Sequence, residues 1–141
     1  MSVLKFDNSG SYFEMSVAIA DDPLVQNCGD AYITIDALSD GFKGHNDLWV
    51  LGEAFSAFCA ALISLEHSLK GEATLASISP NELKLRIFSV NNRGHLAVEG
   101  STGYWSQSQE GSFWHSVSFG FSFEPQQLTK AISAPWMRIK D

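Results

Sequence analysis

Apolar and polar residues alternate with a period of two through most of this chain, and with a period near 3.6 through one stretch. Phe13, Met15, Val17 and Ile19 alternate with Glu14, Ser16 and Ala18. Ala31, Ile33, Ile35 and Ala37 alternate with Tyr32, Thr34 and Asp36. A period of two with one polar face predicts half-buried antiparallel strands. Asp21-Asp22-Pro23 and Asn27-Cys28-Gly29-Asp30 supply loop chemistry between them. The period then changes. Leu51, Phe55, Phe58, Leu62, Leu65 and Leu69 follow one another at steps of four and three, which lines them along one helical stripe. Asn46 or Asp47 is expected to cap this helix, with Asp47 and Glu53 at its positive end. Lys70 suits the last turn and Gly71 a left-handed stop. Gly52 weakens the helix by about 1 kcal/mol relative to alanine. Six large side chains, at roughly 1.5–3 kcal/mol each when buried, outweigh it.

After Gly71 the period returns to two. Ala73 and Leu75 open a strand, and Pro80-Asn81 turn the chain. Leu83, Leu85 and Ile87 alternate with Lys84 and Arg86, and Asn91-Asn92-Arg93-Gly94 is a hairpin signal. Leu96, Val98, Thr102 and Tyr104 continue the pattern up to the polar loop Ser106–Gly111. In the last strand Phe113, Val117, Phe119, Phe121 and Phe123 face one way; Ser116, Ser118, Gly120 and Ser122 face the other. Pro125 is suited to open a short helix through Gln127, Leu128 and Ile132. The tail from Ala134 is expected to be loosely held. Strands, one long helix and a four-strand meander define a single α+β domain over residues 1–141. Its expected form is an antiparallel sheet of about six to seven strands packed on one long helix, with a short C-terminal helix.

Composition agrees with a packed domain. The chain has 141 residues, 45% of them hydrophobic and 18% charged, which excludes a disordered chain. The nearly uncharged run Ala54–Leu65 is too short and too amphipathic to span a bilayer. The opening Met1-Ser2-Val3-Leu4-Lys5-Phe6-Asp7 lacks the apolar region of a signal peptide, so a cytoplasmic protein is expected. Cys28 and Cys59 form no C-x-x-C motif, and Cys59 falls on the apolar side of the helix, as a buried free thiol would.

Charge adds the first functional signal. Residues 1–53 hold nine carboxylates and two lysines, whereas the seven acids and seven bases that follow cancel, so the net charge of −7 lies in the first third. Such a surface repels nucleic acid and attracts basic partners. Asp21, Asp22, Asp30, Asp36, Asp40 and Asp47 are the candidate docking residues; the competing reading is a set of solvated loops. Their spacing does not match the D-x-D-x-D-G calcium loop.

The sequence contains no nucleophile elbow, P-loop or dinucleotide fingerprint. His45, His67, His95 and His115 are scattered, without the spacing of a zinc site. No cofactor or metal is expected. His115 shares the parity of the Phe face, as a hydrogen-bonded rim histidine or as a base near Glu99 or Asp36. If Tyr104 and His115 pair across the last hairpin, Trp105 and Trp114 pair too, on its serine-rich face. Two adjacent tryptophans form either a binding hot spot or a stabilising cross-strand pair, covered or not by the C-terminal tail.

From Trp49 onward the chain resembles the WapI-type family of bacterial immunity proteins. The resemblance is carried by Leu48-Trp49, the helix stripe Phe55, Phe58, Leu62, Leu65 and Leu69, Gly71-Glu72-Ala73-Thr74-Leu75 and Glu82-Leu83-x-Leu85. It continues through Gly94-His95-Leu96-x-Val98, Phe119-x-Phe121-x-Phe123 and Leu128. It covers roughly residues 30–130 and matches little of the N-terminus. It implies a cytosolic antidote that binds the toxic domain of a contact-dependent or secreted toxin, often a nuclease, and it carries over no catalytic residue. The expected partner is therefore a basic toxin domain, met by the acidic residues with Trp105 and Trp114 as anchors. Two other readings stay open. One is a small-ligand protein or enzyme with a pocket lined by Tyr32, Tyr104, Trp105 and His115. The other is a homo-oligomeric module pairing through a sheet edge.

Overall fold

The computed structural model describes residues 2–133; the expectation for the tail from Ala134 lies outside them. The elements run β1 (Ser2–Asn8), β2 (Ser11–Ile19), β3 (Ala31–Ser39), β4 (Phe42–Val50) and α1 (Gly52–Ser68). They continue β5 (Glu72–Ala76), β6 (Leu83–Ser89), β7 (Leu96–Ser108), β8 (Gly111–Phe123) and α2 (Pro125–Ile132). The α+β class and the antiparallel pairing are as expected. The single sheet is not: eight strands form two four-stranded meanders, β1-β2-β3-β4 and β5-β6-β7-β8.

The two unforeseen strands have different histories. In β1, Leu4 and Phe6 are buried while Lys5 and Asp7 are exposed, a clean but short alternation. In β4 the alternation is masked, because its core-facing positions include Gly44 and Asn46 as well as Leu48 and Val50. Each exception has a cause in the other sheet. A Cβ on Gly44 would run into Val117 of β8. Asn46 is buried, and its amide donates to the hydroxyl of Thr102 and the carbonyl of Gly103, both on β7, at 2.9 and 2.8 Å.

Strand β8 crosses the first sheet from one edge to the other. Phe123 stacks on Phe6 of β1 at 4.0 Å and Phe119 lies 5.1 Å from Phe13 of β2. Gly120 exchanges hydrogen bonds with the Ser39 hydroxyl of β3, and Val117 rests over Gly44 of β4. The stretch from Phe123 to Val117 spans roughly 20 Å at about 3.3 Å per residue, enough to cross four strands about 4.8 Å apart. The rest of β8 and the paired end of β7 therefore overhang the edge of the first sheet. There the alternation continues without burial: Phe113 and Tyr104 share the parity of the core face but are 57% and 45% exposed.

Helix α1 closes the core against β5 and β6. Phe55, Phe58, Cys59, Leu62 and Leu65 are buried, so the stripe is as read from the sequence. Its ends differ from expectation. Asn46 and Asp47 belong to β4, and the helix begins at Gly52 after Leu51, which is half-exposed. The cap comes from a distant residue: Asp30 accepts a 2.9 Å hydrogen bond from the Gly52 amide. Gly52 is not a weak interior position but the first helical residue, where a Cβ would strike the Gly29 carbonyl. The left-handed stop falls on Leu69, with φ 57°, whose amide donates to Leu65. Its side chain is packed against the core, which holds a residue that otherwise avoids this region. Replacing Asp30 with alanine is expected to cost about 0.5–2 kcal/mol, read as a lower thermal midpoint. An unchanged midpoint would remove the cap assignment.

α2 opens on Pro125, as expected. The Gln127 side chain both accepts from the Asp7 amide at 2.8 Å and donates to the Asp7 carbonyl at 3.0 Å. It thereby satisfies backbone groups on the outer edge of β1, which an unprotected edge strand would offer to other chains.

Candidate functional site

The overhanging end of β7 and β8 concentrates the aromatic chemistry. The register pairs Tyr104 with His115 and Trp105 with Trp114, as the strand parity requires. The two indoles meet edge to face at 5.4 Å. Trp105 is 59% exposed and Trp114 is half-buried. Gly103 makes room for them, since a Cβ there would collide with the Trp114 ring. The β5–β6 loop forms the facing wall. Ser79, Pro80, Asn81 and Glu82 line with the two indoles an open groove of about 620 Å³. The loop is held in place from behind: the Glu82 carbonyl accepts hydrogen bonds from Thr102 Oγ1, the Gly103 amide and Asn46 Nδ2.

The other face of the overhang looks back at β4. Tyr104, His115 and Val117 share with Lys43, His45 and Asn46 an open notch of about 430 Å³. His115 is exposed and pairs with the Ser106 hydroxyl at 2.9 Å. It is not paired with the acids considered for it: Glu99 is bound to Arg86 and Asp36 to His45. The proposed pocket lining does not assemble either. Tyr104 and His115 share the notch, Trp105 lies on the opposite face of the hairpin, and Tyr32 packs at a tilt on Trp49, 5.0 Å between ring centres, on the outer face of the first sheet. Among the described residues, no group of three His, Cys, Asp or Glu is placed to hold a metal ion.

Of the six aspartates, the fold brings two together. Asp36 on β3 and Asp47 on β4 flank His45, whose Nδ1 donates to Asp36 at 2.7 Å and whose Nε2 lies 3.7 Å from Asp47. Thr34 donates to Asp47 at 2.8 Å. Asp21 and Asp22 sit in the β2–β3 loop, where Asp22 folds back on the Leu24 amide. Asp30 ends that loop and is engaged at the helix cap. Asp40 lies in the β3–β4 turn at the opposite end of the sheet, in the left-handed region beside Gly41.

The sequence does not single out His45, because the alternation of β4 is masked by Gly44 and Asn46. Only its cross-strand pairing with Asp36 identifies it. The hydrogen bond to Asp36, more than the added charge of Asp36 and Asp47, holds the imidazole above its ordinary pKa near 6.5. A raised folded pKa gives stability that is complete below the unfolded value and is lost as pH rises through the folded one. More than half of the ring is exposed, so screening limits this to about 1 kcal/mol or less. An NMR titration is expected to place the His45 midpoint above the ordinary value. Asp36→Asn should bring it down; an unshifted midpoint in that variant would detach His45 from Asp36.

These elements define a two-sheet α+β protein with an aromatic hairpin held out from its edge. A family model matches residues 4–134, and the chain belongs to the WapI-like immunity protein family. The match includes β1 and β2, the part in which the sequence resemblance was slight. No curated protein and no solved structure matches the chain. Membership in this family assigns the chain a toxin-inhibitor role in general terms. Among the described residues, no helix is long and apolar enough to cross a membrane.

Proposed function

We propose that this protein neutralises a basic toxin domain, with a nuclease the leading kind, by covering it with the overhanging hairpin. Asp21, Asp22, Asp36, Asp40 and Asp47 steer the approach, while Trp105 and Trp114 anchor the complex. The observation that carries this reading is the indole pair, set edge to face on the outer face of the β7–β8 hairpin with Trp105 59% exposed. Tryptophans in such positions are enriched among residues that dominate binding energy. The charge supports it as well. A nuclease must attract phosphate, so its active site is electropositive, and a chain of net charge −7 is drawn to it.

The test is co-expression with candidate toxins, followed by association kinetics of any complex. The expected result is a stoichiometric complex that abolishes toxicity. Its association rate is expected to fall about tenfold or more between low and physiological salt. Asp21→Asn with Asp22→Asn should slow association and leave dissociation nearly unchanged. Asp30 is excluded from this series because its loss would disturb α1. A salt-independent association rate would reject steering, and a chain that silences no toxin would reject the inhibitor reading.

A further inference from the structure

The groove beside the tryptophans has a composition that selects one kind of guest. It is lined by Trp105, Trp114, Pro80, two neutral polar residues and one ionisable residue, Glu82. Other acids of the second sheet are already engaged: Arg86 bridges Glu72 and Glu99 at 2.8 and 2.7 Å and lies 3.8 Å from the centre of the Phe88 ring. Among the described residues, no lysine, arginine or histidine pairs with Glu82. The groove thus offers the two components that surround Arg86, aromatic rings and an acidic residue, with no cation paired to that acid among the described residues.

The wall of the groove is tied to β7 through its backbone. Thr102 and Gly103 hold the Glu82 backbone by hydrogen bonds, and Gly103 is also the residue on which the Trp114 ring rests. The Glu82 backbone and the Trp114 ring therefore share Gly103 as a support. A guest therefore meets a wall whose backbone is already fixed, which lowers the cost of binding.

We propose that this groove receives an arginine side chain of the toxin domain, stacked on the Trp105–Trp114 pair and bonded to Glu82. This rests on the inhibitor reading above. Guanidinium is planar and weakly hydrated, so it lies on an indole face while its N–H groups reach a carboxylate. A lysine ammonium carries the same charge but lacks the plane that stacks. Glu82 is half-buried, and an uncharged aromatic guest would leave its charge without a counterion. The acidic groove suits the same basic partner that the N-terminal aspartates would attract.

The groove can be tested without the toxin. N-acetyl-arginine amide is titrated into the full-length protein, in the millimolar range suited to so small a ligand. The indole N–H signals of Trp105 and Trp114 are followed by NMR. Trp49, packed on Tyr32 on the outer face of the first sheet, is the internal reference. The expected result is a saturable shift of Trp105 and Trp114 with Trp49 unmoved. Binding should be about tenfold weaker for the neutral isostere N-acetyl-citrulline amide and for the Glu82→Gln variant. That variant keeps the backbone carbonyl on which the frame depends, and its thermal midpoint serves as the folding control. Equal binding of citrulline, or a Glu82→Gln variant that folds and binds arginine as before, would overturn the cation site. With a neutralised toxin in hand, Glu82→Gln is expected to raise Kd about tenfold or more. An unchanged Kd would overturn the arginine assignment and leave the inhibitor role standing. A chain that silences no toxin would fail the inhibitor role, and with it the toxin as the source of the arginine. The arginine titration would then decide the cation site separately.

Discussion

Replacing Phe13 with alanine is expected to lower stability by about 3–5 kcal/mol, a large part of what a domain of this size possesses. Phe13 is fully buried, and its ring lies 5.1 Å from Phe119 where β8 crosses β2. The substitution removes apolar area and leaves a cavity between two sheets, each held in its own hydrogen-bonded meander, so collapse around the void is limited. The measurement is urea denaturation, in which the midpoint should fall while the slope is retained. Phe119→Ala added to Phe13→Ala should cost less than it does alone, with a coupling of about 0.5–3 kcal/mol, because the first substitution has already removed its partner. Additive losses, or a loss below about 1 kcal/mol for Phe13→Ala, would mean that the two rings do not form the joint between the sheets.

The second large effect is expected in binding and not in folding. Trp105→Ser with Trp114→Ser should weaken the toxin complex by about a hundredfold or more. The same double variant should lose only about 0.2–1 kcal/mol of stability, the usual range for one cross-strand pair. The asymmetry follows from position. Phe119 and Phe123 occupy the part of β8 that lies over the first sheet, whereas Trp105 and Trp114 lie on the overhang. A variant that melts several degrees lower yet binds its toxin as before would make the pair a structural staple and remove it from the interface.

The local elements were largely legible. The stripe of α1, the turn at Pro80-Asn81, the hairpin at Asn91–Gly94 and the pairing of Trp105 with Trp114 all follow from spacing over a few residues. β4 was not legible, and its failure is informative. Its sequence Phe42-Lys43-Gly44-His45-Asn46-Asp47 hides its period because Gly44 admits Val117 and Asn46 serves β7. Both residues answer to partners more than fifty positions away, so no local rule could read them as a strand. The misplaced helix cap followed from that reading. Asn46 and Asp47 are good capping residues by type, but the cap is made by Asp30, brought to Gly52 by the pairing of Ala31 with Val50.

The candidate site divides in the same way. Trp105 and Trp114 were found because their relation is one of register within a hairpin, and register is set by local chemistry. Glu82 and His45 were not, because each acquires its role from a neighbour across the fold: the tryptophan pair for one, Asp36 for the other. The aspartates show the limit of composition. Their summed charge is fixed by the residues, but only the tertiary structure spreads them over a loop, a helix cap, a turn and one face of a sheet. Periodicity and residue type decide what each segment becomes and what charge it carries, since those depend on neighbours within a few bonds. How two meanders cross, which end of a hairpin is left overhanging and which acidic residue lines the groove beside the indoles depend on packing between distant segments, and the folded chain alone decides them.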